Sequence, residues 1–287
     1  MTDEKLELLI NKYKLSVQEH NQILDYLQQV IFLNKTKEEK PSFMFVIGQP
    51  GCGKTTFINS ELLSNYLIIN SDDYRKFNKY SEEIYNQYAT YYTKLTNYDA
   101  HLWGDELFSF AVSNGYSVLR EKAPINYNLI KVIKETAEKN NVIVNIVVTG
   151  SLNSLLATRE RYEKELLKNN NARLSNIDSH NKCYDLLPEF IYMCFSAGAK
   201  VNYVIPKNNK FEIVAVKKEE YLNLLNKIRQ DSNNETIIEY KTRITNIKES
   251  MKKRNASQEQ YKELQKIEEV YLELVNSFSY ENKNTIK

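Results

Sequence analysis

Four residues at fixed spacing, Gly48, Gly53, Lys54 and Thr55, lie in the run Gly48-Gln49-Pro50-Gly51-Cys52-Gly53-Lys54-Thr55 and could together hold a row of phosphates. Glycines allow positive φ and bring backbone N–H groups close to phosphate oxygens, and a helix starting after the loop presents its positive dipole end there. Lys54 would reach the β and γ phosphates, and the Thr55 hydroxyl would ligate Mg²⁺. The flanks have the order this chemistry requires: an unbroken apolar run, Phe43 to Ile47, leads in, and Thr56-Phe57-Ile58 leads out into a helix. Residues Gly48 through Thr56 are therefore expected to bind ATP with Mg²⁺.

Binding a triphosphate leaves the fate of its γ-phosphate open, so the acids and arginines nearby matter. A motor ATPase or GTPase shows an apolar strand ending in an aspartate that helps hold Mg²⁺. Here Val142 to Val148 ends in Thr149-Gly150, and another run ends in Arg120-Glu121. Asp72 directly follows the apolar run Tyr66 to Ile69, where a small kinase places the group that accepts a proton from a substrate hydroxyl. The plainer alternative makes Ser71 a helix N-cap and Asp72 and Asp73 first-turn acids that complement the dipole. Of eight arginines, Arg159, Arg161 and Arg173 fall within fifteen residues of a chain that otherwise prefers lysine. That concentration suggests planar, two-donor recognition of phosphate, against the alternative of a solvated helix face with Arg–Glu pairs. His20, His101 and His180 match no metal or triad spacing and read as structural.

Positioning these groups requires an α/β framework. The apolar runs from Phe43, Tyr66, Tyr116 and Val142, separated by helical periodicity, predict parallel β-α-β units in a P-loop kinase-like doubly wound sheet. Gly48 to Lys54, Asp72, Glu121 and Thr149 to Asn153 then all face one crevice beyond the strands' carboxyl ends. Before the sheet, residues 1–40 predict two helices forming a cap, with Thr2 and Asp3 capping the first and Ser16 with Glu19 boxing the second. A tyrosine-rich stretch from Ser81 to Asn114 reads as helical, with Ile84, Tyr88, Tyr91, Tyr92 and Leu95 at core spacing. Residues 201–216 read as a hairpin, and residues 217–287 as a helical extension in which Ser257 and Gln260 cap the last helix. Lys248, Lys252, Lys253 and Arg254 read as a charged solvent face. The kinase domain is thus expected over residues 41–216.

A net charge of +2 over 287 residues gives no reason to expect a nucleic-acid footprint or a membrane surface. Three cysteines, Cys52, Cys183 and Cys194, without paired spacing point to a reduced, cytoplasmic protein. The start of the chain has no secretory pattern, and no run approaches a membrane span.

The chain resembles the zeta toxins, P-loop kinases of bacterial toxin–antitoxin systems. The resemblance rests on the phosphate loop, on Ile69-Asn70-Ser71-Asp72, on Gly115-Tyr116 through Glu121, and on Glu160-Arg161-Tyr162-Glu163 followed by Ala172-Arg173, over about residues 43 to 205. It implies ATP-dependent phosphorylation of a sugar hydroxyl of UDP-N-acetylglucosamine, with Asp72 as general base, Arg161 and Arg173 clamping the moving phosphoryl group, Glu121 contacting substrate, and an antitoxin as partner. Arg159, on another face of the helix, is expected to tolerate change. One departure bears on the acceptor: the family pattern Glu-Gly-Thr is Glu121-Lys122-Ala123 here. The expected function is phosphorylation of a small metabolite, a UDP-activated amino sugar by resemblance. The alternatives are a nucleotide, NAD or polynucleotide-end kinase, or an ATP-binding switch without transfer.

Overall fold

The apolar run Ser42–Ile47 forms a strand with five of its six residues buried, as expected where helices cover both faces of a sheet. In the computed structural model of the chain the described residues are 2–60, 66–88, 91–124, 127–168, 172, 174–207, 210–230 and 234–285. The strands are β1 (Ser42–Ile47), β2 (Leu67–Ile69), β3 (Val118–Lys122), β4 (Asn141–Val147), β5 (Lys200–Lys207) and β6 (Lys210–Ala215). The helices before β3 are α1 (Asp3–Tyr13), α2 (Val17–Phe32), α3 (Lys54–Ser60), α4 (Ser71–Tyr74), α5 (Ser81–Tyr88) and α6 (Tyr92–Asn114). After it come α7 (Tyr127–Ala137), α8 (Ser151–Lys168), α9 (Ile177–Ser196), α10 (Tyr221–Arg229), α11 (Asn234–Lys253) and α12 (Gln258–Thr285).

Strand order is β2-β3-β1-β4-β5-β6, with β1 to β5 parallel and β6 returning antiparallel to β5 as the expected hairpin. Each expected β-α-β crossover skips one strand, because β3 inserts between β1 and β2 and β1 between β3 and β4. The carboxyl end of β1 is therefore flanked by those of β3 and β4, the place where doubly wound sheets bind ligands. β3 begins two residues later than expected, at Val118, and carries Arg120, Glu121 and Lys122 inside the strand instead of beyond it.

Both expected caps of the N-terminal pair form. Thr2 Oγ1 accepts from Lys5 N, and Ser16 and Glu19 satisfy each other's backbone N–H groups. The pair docks on α6 through a polar seam: buried His20 meets Asp99 at 3.2 Å and Glu106 at 2.8 Å and stacks on Trp103, whose indole N–H donates to the His20 carbonyl. The tyrosine-rich stretch forms α5 and α6, and Ile84 and Leu95 bury against Tyr13 with the tyrosines partly covered, which is core, as its spacing implies.

Helix α9 is absent from the expectations although Cys183, Leu187, Phe190, Ile191 and Cys194 form its buried stripe. Pro188 obscures it, since proline inside a helix leaves the carbonyl four residues back without its donor. That carbonyl is Tyr184 O, and the fold satisfies it from outside: Arg229 Nη2 donates to it at 2.6 Å while the guanidinium lies 3.6 Å over the Tyr184 ring. The C-terminal extension is also less detached than its charge pattern suggests. Tyr240, Ile244, Ile247, Met251, Leu264 and Ile267 of α11 and α12 bury against Leu152, Leu155 and Leu156 of α8. Arg254, expected on a solvent face with its neighbouring lysines, instead forks onto the buried Glu163.

Arg229→Ala should destabilise the protein by about 1–3 kcal/mol by orphaning the Tyr184 carbonyl. In a Pro188→Ala background, where residue 188 supplies its own N–H, the same change should be measurably cheaper. Urea unfolding of the four proteins in this cycle reads the coupling, and equal losses in both backgrounds would refute the account.

Candidate active site

The phosphate loop is shaped by where it can fit. Gly51 has φ +79°, and a Cβ there would lie 2.1 Å from the Ser154 carbonyl oxygen and 2.7 Å from the Thr158 methyl, so the loop is seated directly on α8. Gly53, at φ +99°, likewise holds a conformation that other residues rarely adopt. Gln49 is fully buried and donates to the Thr149 carbonyl and to Ser154 Oγ, both at 3.3 Å. Its side chain braces the loop from below, so what Gln49 can offer a phosphate is backbone. The Cys52 thiol likewise points into the core beneath the loop, where burial raises its pKa.

Lys54 lies at the start of α3 with its ammonium folded across the loop, donating to the carbonyls of Gly48 at 2.9 Å and Gln49 at 3.1 Å. Glu121, near the end of β3, comes within 4.0 Å of that ammonium and accepts from Thr55 Oγ1 at 3.1 and 3.3 Å. Expected magnesium and substrate groups thus meet at one point. Among the described residues no cluster of three or more histidine, cysteine or carboxylate side chains is placed to hold a metal ion by itself. A Mg²⁺ ion that keeps phosphate and water ligands needs only one or two protein oxygens, and the hard oxygens of Thr55 and Glu121 fit that requirement.

On the other side of β3 lies a second polar group. Asn70, not Ser71, caps α4, accepting from Asp72 N at 3.1 Å. Asp72 is half exposed and paired with Arg75 at 2.7 Å. The Arg75 guanidinium is itself anchored on α6 by the Thr93 carbonyl, Thr96 Oγ1 and Asn97 Oδ1. Partial desolvation, with the Asp72 charge beside it, raises the pKa of Asp73. Alternation along β3 puts Arg120 and Lys122 on the face opposite Glu121. Both reach Asp105 of α6, Arg120 at 2.6 Å and Lys122 at 3.7 Å. Burial, reinforced by the Arg120 charge, pulls the Lys122 pKa down to about 8. Burial, then the charges of Lys122 and Arg75, lowers that of His101 to about 4, which keeps this imidazole neutral at pH 7. Asp105 and His101 are missing from the expected site. They stand one helical turn apart on α6, and only the fold shows that this face of the helix meets β3.

The arginines separate. Arg161 stands on the α8 face that carries Ser154 and Thr158, half exposed, donating to Ser175 Oγ at 3.1 Å and lying 3.8 Å from Glu165. Arg173 lies outside the described residues. Arg159, expected to be replaceable, is 1% exposed and donates to the Gln260 carbonyl of α12, with Nη1 unpaired among the described residues and its pKa lowered by burial. The flanking acids of the Glu160-Arg161-Tyr162-Glu163 run face the extension as well: Glu160 receives a two-donor fork from Arg243, and Glu163 one from Arg254.

No curated protein matches the chain in sequence. Among solved structures, it is similar to a protein of the PezAT chromosomal toxin–antitoxin system of Streptococcus pneumoniae, with 19% identity and a TM-score of 0.66 over 82% of this chain and 98% of that one. It is also similar to a chain of the AvrRxo1-ORF1:AvrRxo1-ORF2 complex, with 13% identity and a TM-score of 0.54 over 94% of this chain and 90% of that one. The form of that complex solved with ATP gives a TM-score of 0.51 at 14% identity, over 94% and 90% of the two chains. These likenesses show a shared α/β fold. The model of the zeta toxin family matches residues 25–217, from within α2 to just past β6, and the chain belongs to that family.

Proposed function

We propose that the chain is an ATP-dependent phosphotransferase that moves the γ-phosphoryl group to a hydroxyl of a small, anionic metabolite of nucleotide-sugar type. The observation that carries this reading is the pairing of two groups at neighbouring carboxyl strand ends: Lys54 and Thr55 with Glu121 on one side, and Asp72 held by Arg75 on the other. The loop N–H groups and Lys54 would bracket the β and γ phosphates, and Arg161 and Arg173 would meet charge as it develops on the moving group. Mg²⁺, held by Thr55 and Glu121 together with the phosphates, would neutralise that charge further. Asp72 would accept the proton of the attacking hydroxyl, and its pairing with Arg75 holds the carboxylate in place for that task.

A cleft near the loop would take the donor base. This cleft of about 190 Å³ opens between Thr149-Gly150 after β4 and Ile205-Pro206 of β5, and Arg229, Glu239 and Tyr240 of the extension form its far wall. On the acceptor side, two cations, Arg120 and Lys122, share one acid, Asp105. An acceptor with a phosphate or carboxylate near its reacting hydroxyl would be held there. Family membership further supports an antitoxin protein as binding partner, and the arrangement supports ATP as more than a switch ligand because base and phosphate loop face one crevice.

Lys54→Ala should reduce transfer of the γ-phosphate by at least about 10²-fold and abolish growth inhibition on expression, with the fold intact. Undiminished transfer would end the kinase reading. Asp72→Asn should lower turnover by about 10² to 10⁴ with little change in ATP affinity. If Asp73→Asn is the more damaging of the two, the base has been assigned to the wrong carboxylate. For the acceptor, kcat/KM should favour other anionic metabolites over UDP-N-acetylglucosamine, and the double change Lys122→Gly with Ala123→Thr should shift preference towards that sugar nucleotide by about tenfold to a hundredfold, the value of one restored hydrogen bond. Efficient use of UDP-N-acetylglucosamine that the double change does not improve would show the departure at these positions to be silent.

A further inference from the structure

Helix α8 has two working faces. Ser154, Thr158 and Arg161, spaced i, i+4 and i+7, form one: Ser154 Oγ takes the Gln49 amide, and Gly51 sits against the Ser154 carbonyl and Thr158. Asn153 and Glu160 look towards the extension. Arg243 of α11 donates Nε and Nη2 to the two Glu160 oxygens at 2.6 and 2.7 Å and Nη1 to Asn153 Oδ1 at 2.6 Å. Asn153 passes the contact on, donating to Thr149 Oγ1 at 2.7 Å, and the carbonyl of that same Thr149 receives Gln49. One turn further along α8, Arg254 forks onto Glu163 at 2.7 Å for both bonds.

From this we infer that Arg243, seconded by Arg254, is a positioning residue for phosphoryl transfer: it fixes the rotation of α8 and thereby the reach of Arg161 towards the phosphate. The inference rests on the phosphotransferase reading above. Both arginines lie beyond residue 217, where the family match ends, while the glutamates they hold lie inside it. The apolar contacts between α8 and the extension bury surface. The planar forks on Glu160 and Glu163 add an angular restraint, because both bonds of a fork are lost together when the helix turns. Side chains reach about 5–6 Å from a helix axis, so a 10° rotation moves the head of Arg161 by about 1 Å. A misplacement of that size can lower a rate by on the order of 10²-fold.

The test is a double-mutant cycle on rate. Initial transfer of labelled γ-phosphate from ATP into a metabolite extract is measured for the full chain, Arg243→Lys, Arg161→Lys and the double variant, with kcat and KM for ATP taken separately. Arg243→Lys should lower kcat about tenfold to a hundredfold with KM for ATP changed by less than about twofold. In the Arg161→Lys background the same change should lower kcat by less than about twofold, because there is no fork left to aim. Equal losses in both backgrounds, or no loss in either, overturn the inference, since a role confined to stability would not distinguish them. Glu160→Gln releases the fork from the α8 side, must give the same pattern, and carries the test should Arg243→Lys not fold. Activity of Lys54→Ala separates the two levels: transfer by that variant removes the kinase reading itself, whereas its inactivity together with additive effects of Arg243 and Arg161 removes only the positioning role.

Discussion

The phosphate loop has no room to spare against α8. Only a hydrogen atom fits at the Cα of residue 51, because a methyl carbon there would stand 2.1 Å from the Ser154 carbonyl oxygen. Whatever places α8 therefore places the loop, and the rest of the molecule can be understood as fixing that one contact. From below, Gln49 ties the loop to both Thr149 and Ser154, so the end of β4 and the start of α8 move with it. Ser154 is held in turn by His180 of α9 at 2.7 Å, whose pKa burial lowers so that the ring stays a neutral hydrogen-bonding partner. From outside, α11 and α12 close over the apolar face of α8.

Charge sets the register of that closure. Glu163 is almost fully buried, and a buried carboxylate is tolerated only when paired and hydrogen-bonded. It receives two bonds from Arg254 and one from Ser250. Removing one partner of such a pair costs on the order of 3–5 kcal/mol, whereas replacing both with apolar groups can be neutral, so these pairs are weak evidence for stability and better evidence for geometry. Arg159 adds a third cation to the same interface, with one nitrogen unpaired among the described residues. Three of the chain's eight arginines, Arg159, Arg243 and Arg254, thus serve the contact between α8 and the extension, and a fourth, Arg229, completes the backbone of α9.

How far residues could be read in advance followed the range of their interactions. The phosphate loop, the Ser16–Glu19 and Ser257–Gln260 boxes and the β5–β6 hairpin are local patterns, in which the residues that specify the structure are within a few positions of each other. α9 was hidden because Pro188 breaks the local rule and its remedy, Arg229, stands forty-one residues away. The 159–173 arginines could not be sorted locally either: Arg161 is half exposed beside Glu165, while the acids flanking it are claimed by arginines about eighty to ninety residues on. Asp105 was invisible for the same reason, since an acid in the middle of a helix carries no mark of the strand that it will face.

The two sides of the crevice differ electrostatically, and the difference has a consequence for the order of events at the proposed site. On the donor side Lys54 is already near a carboxylate, Glu121, so an arriving triphosphate must compete for the ammonium with Glu121 and with two loop carbonyls. A cation beside those phosphates would relieve that competition by taking the Glu121 charge, which makes nucleotide and Mg²⁺ favour each other's binding. On the acceptor side the balance is reversed: Arg120 and Lys122 outnumber Asp105, and Lys122 is a partly desolvated ammonium with a pKa near 8, poised to gain from an anion. An acceptor phosphate or carboxylate seated there would stabilise the charged form of Lys122 and so raise its pKa. Arg75, itself anchored on α6, would meanwhile hold Asp72 in place beside that anion.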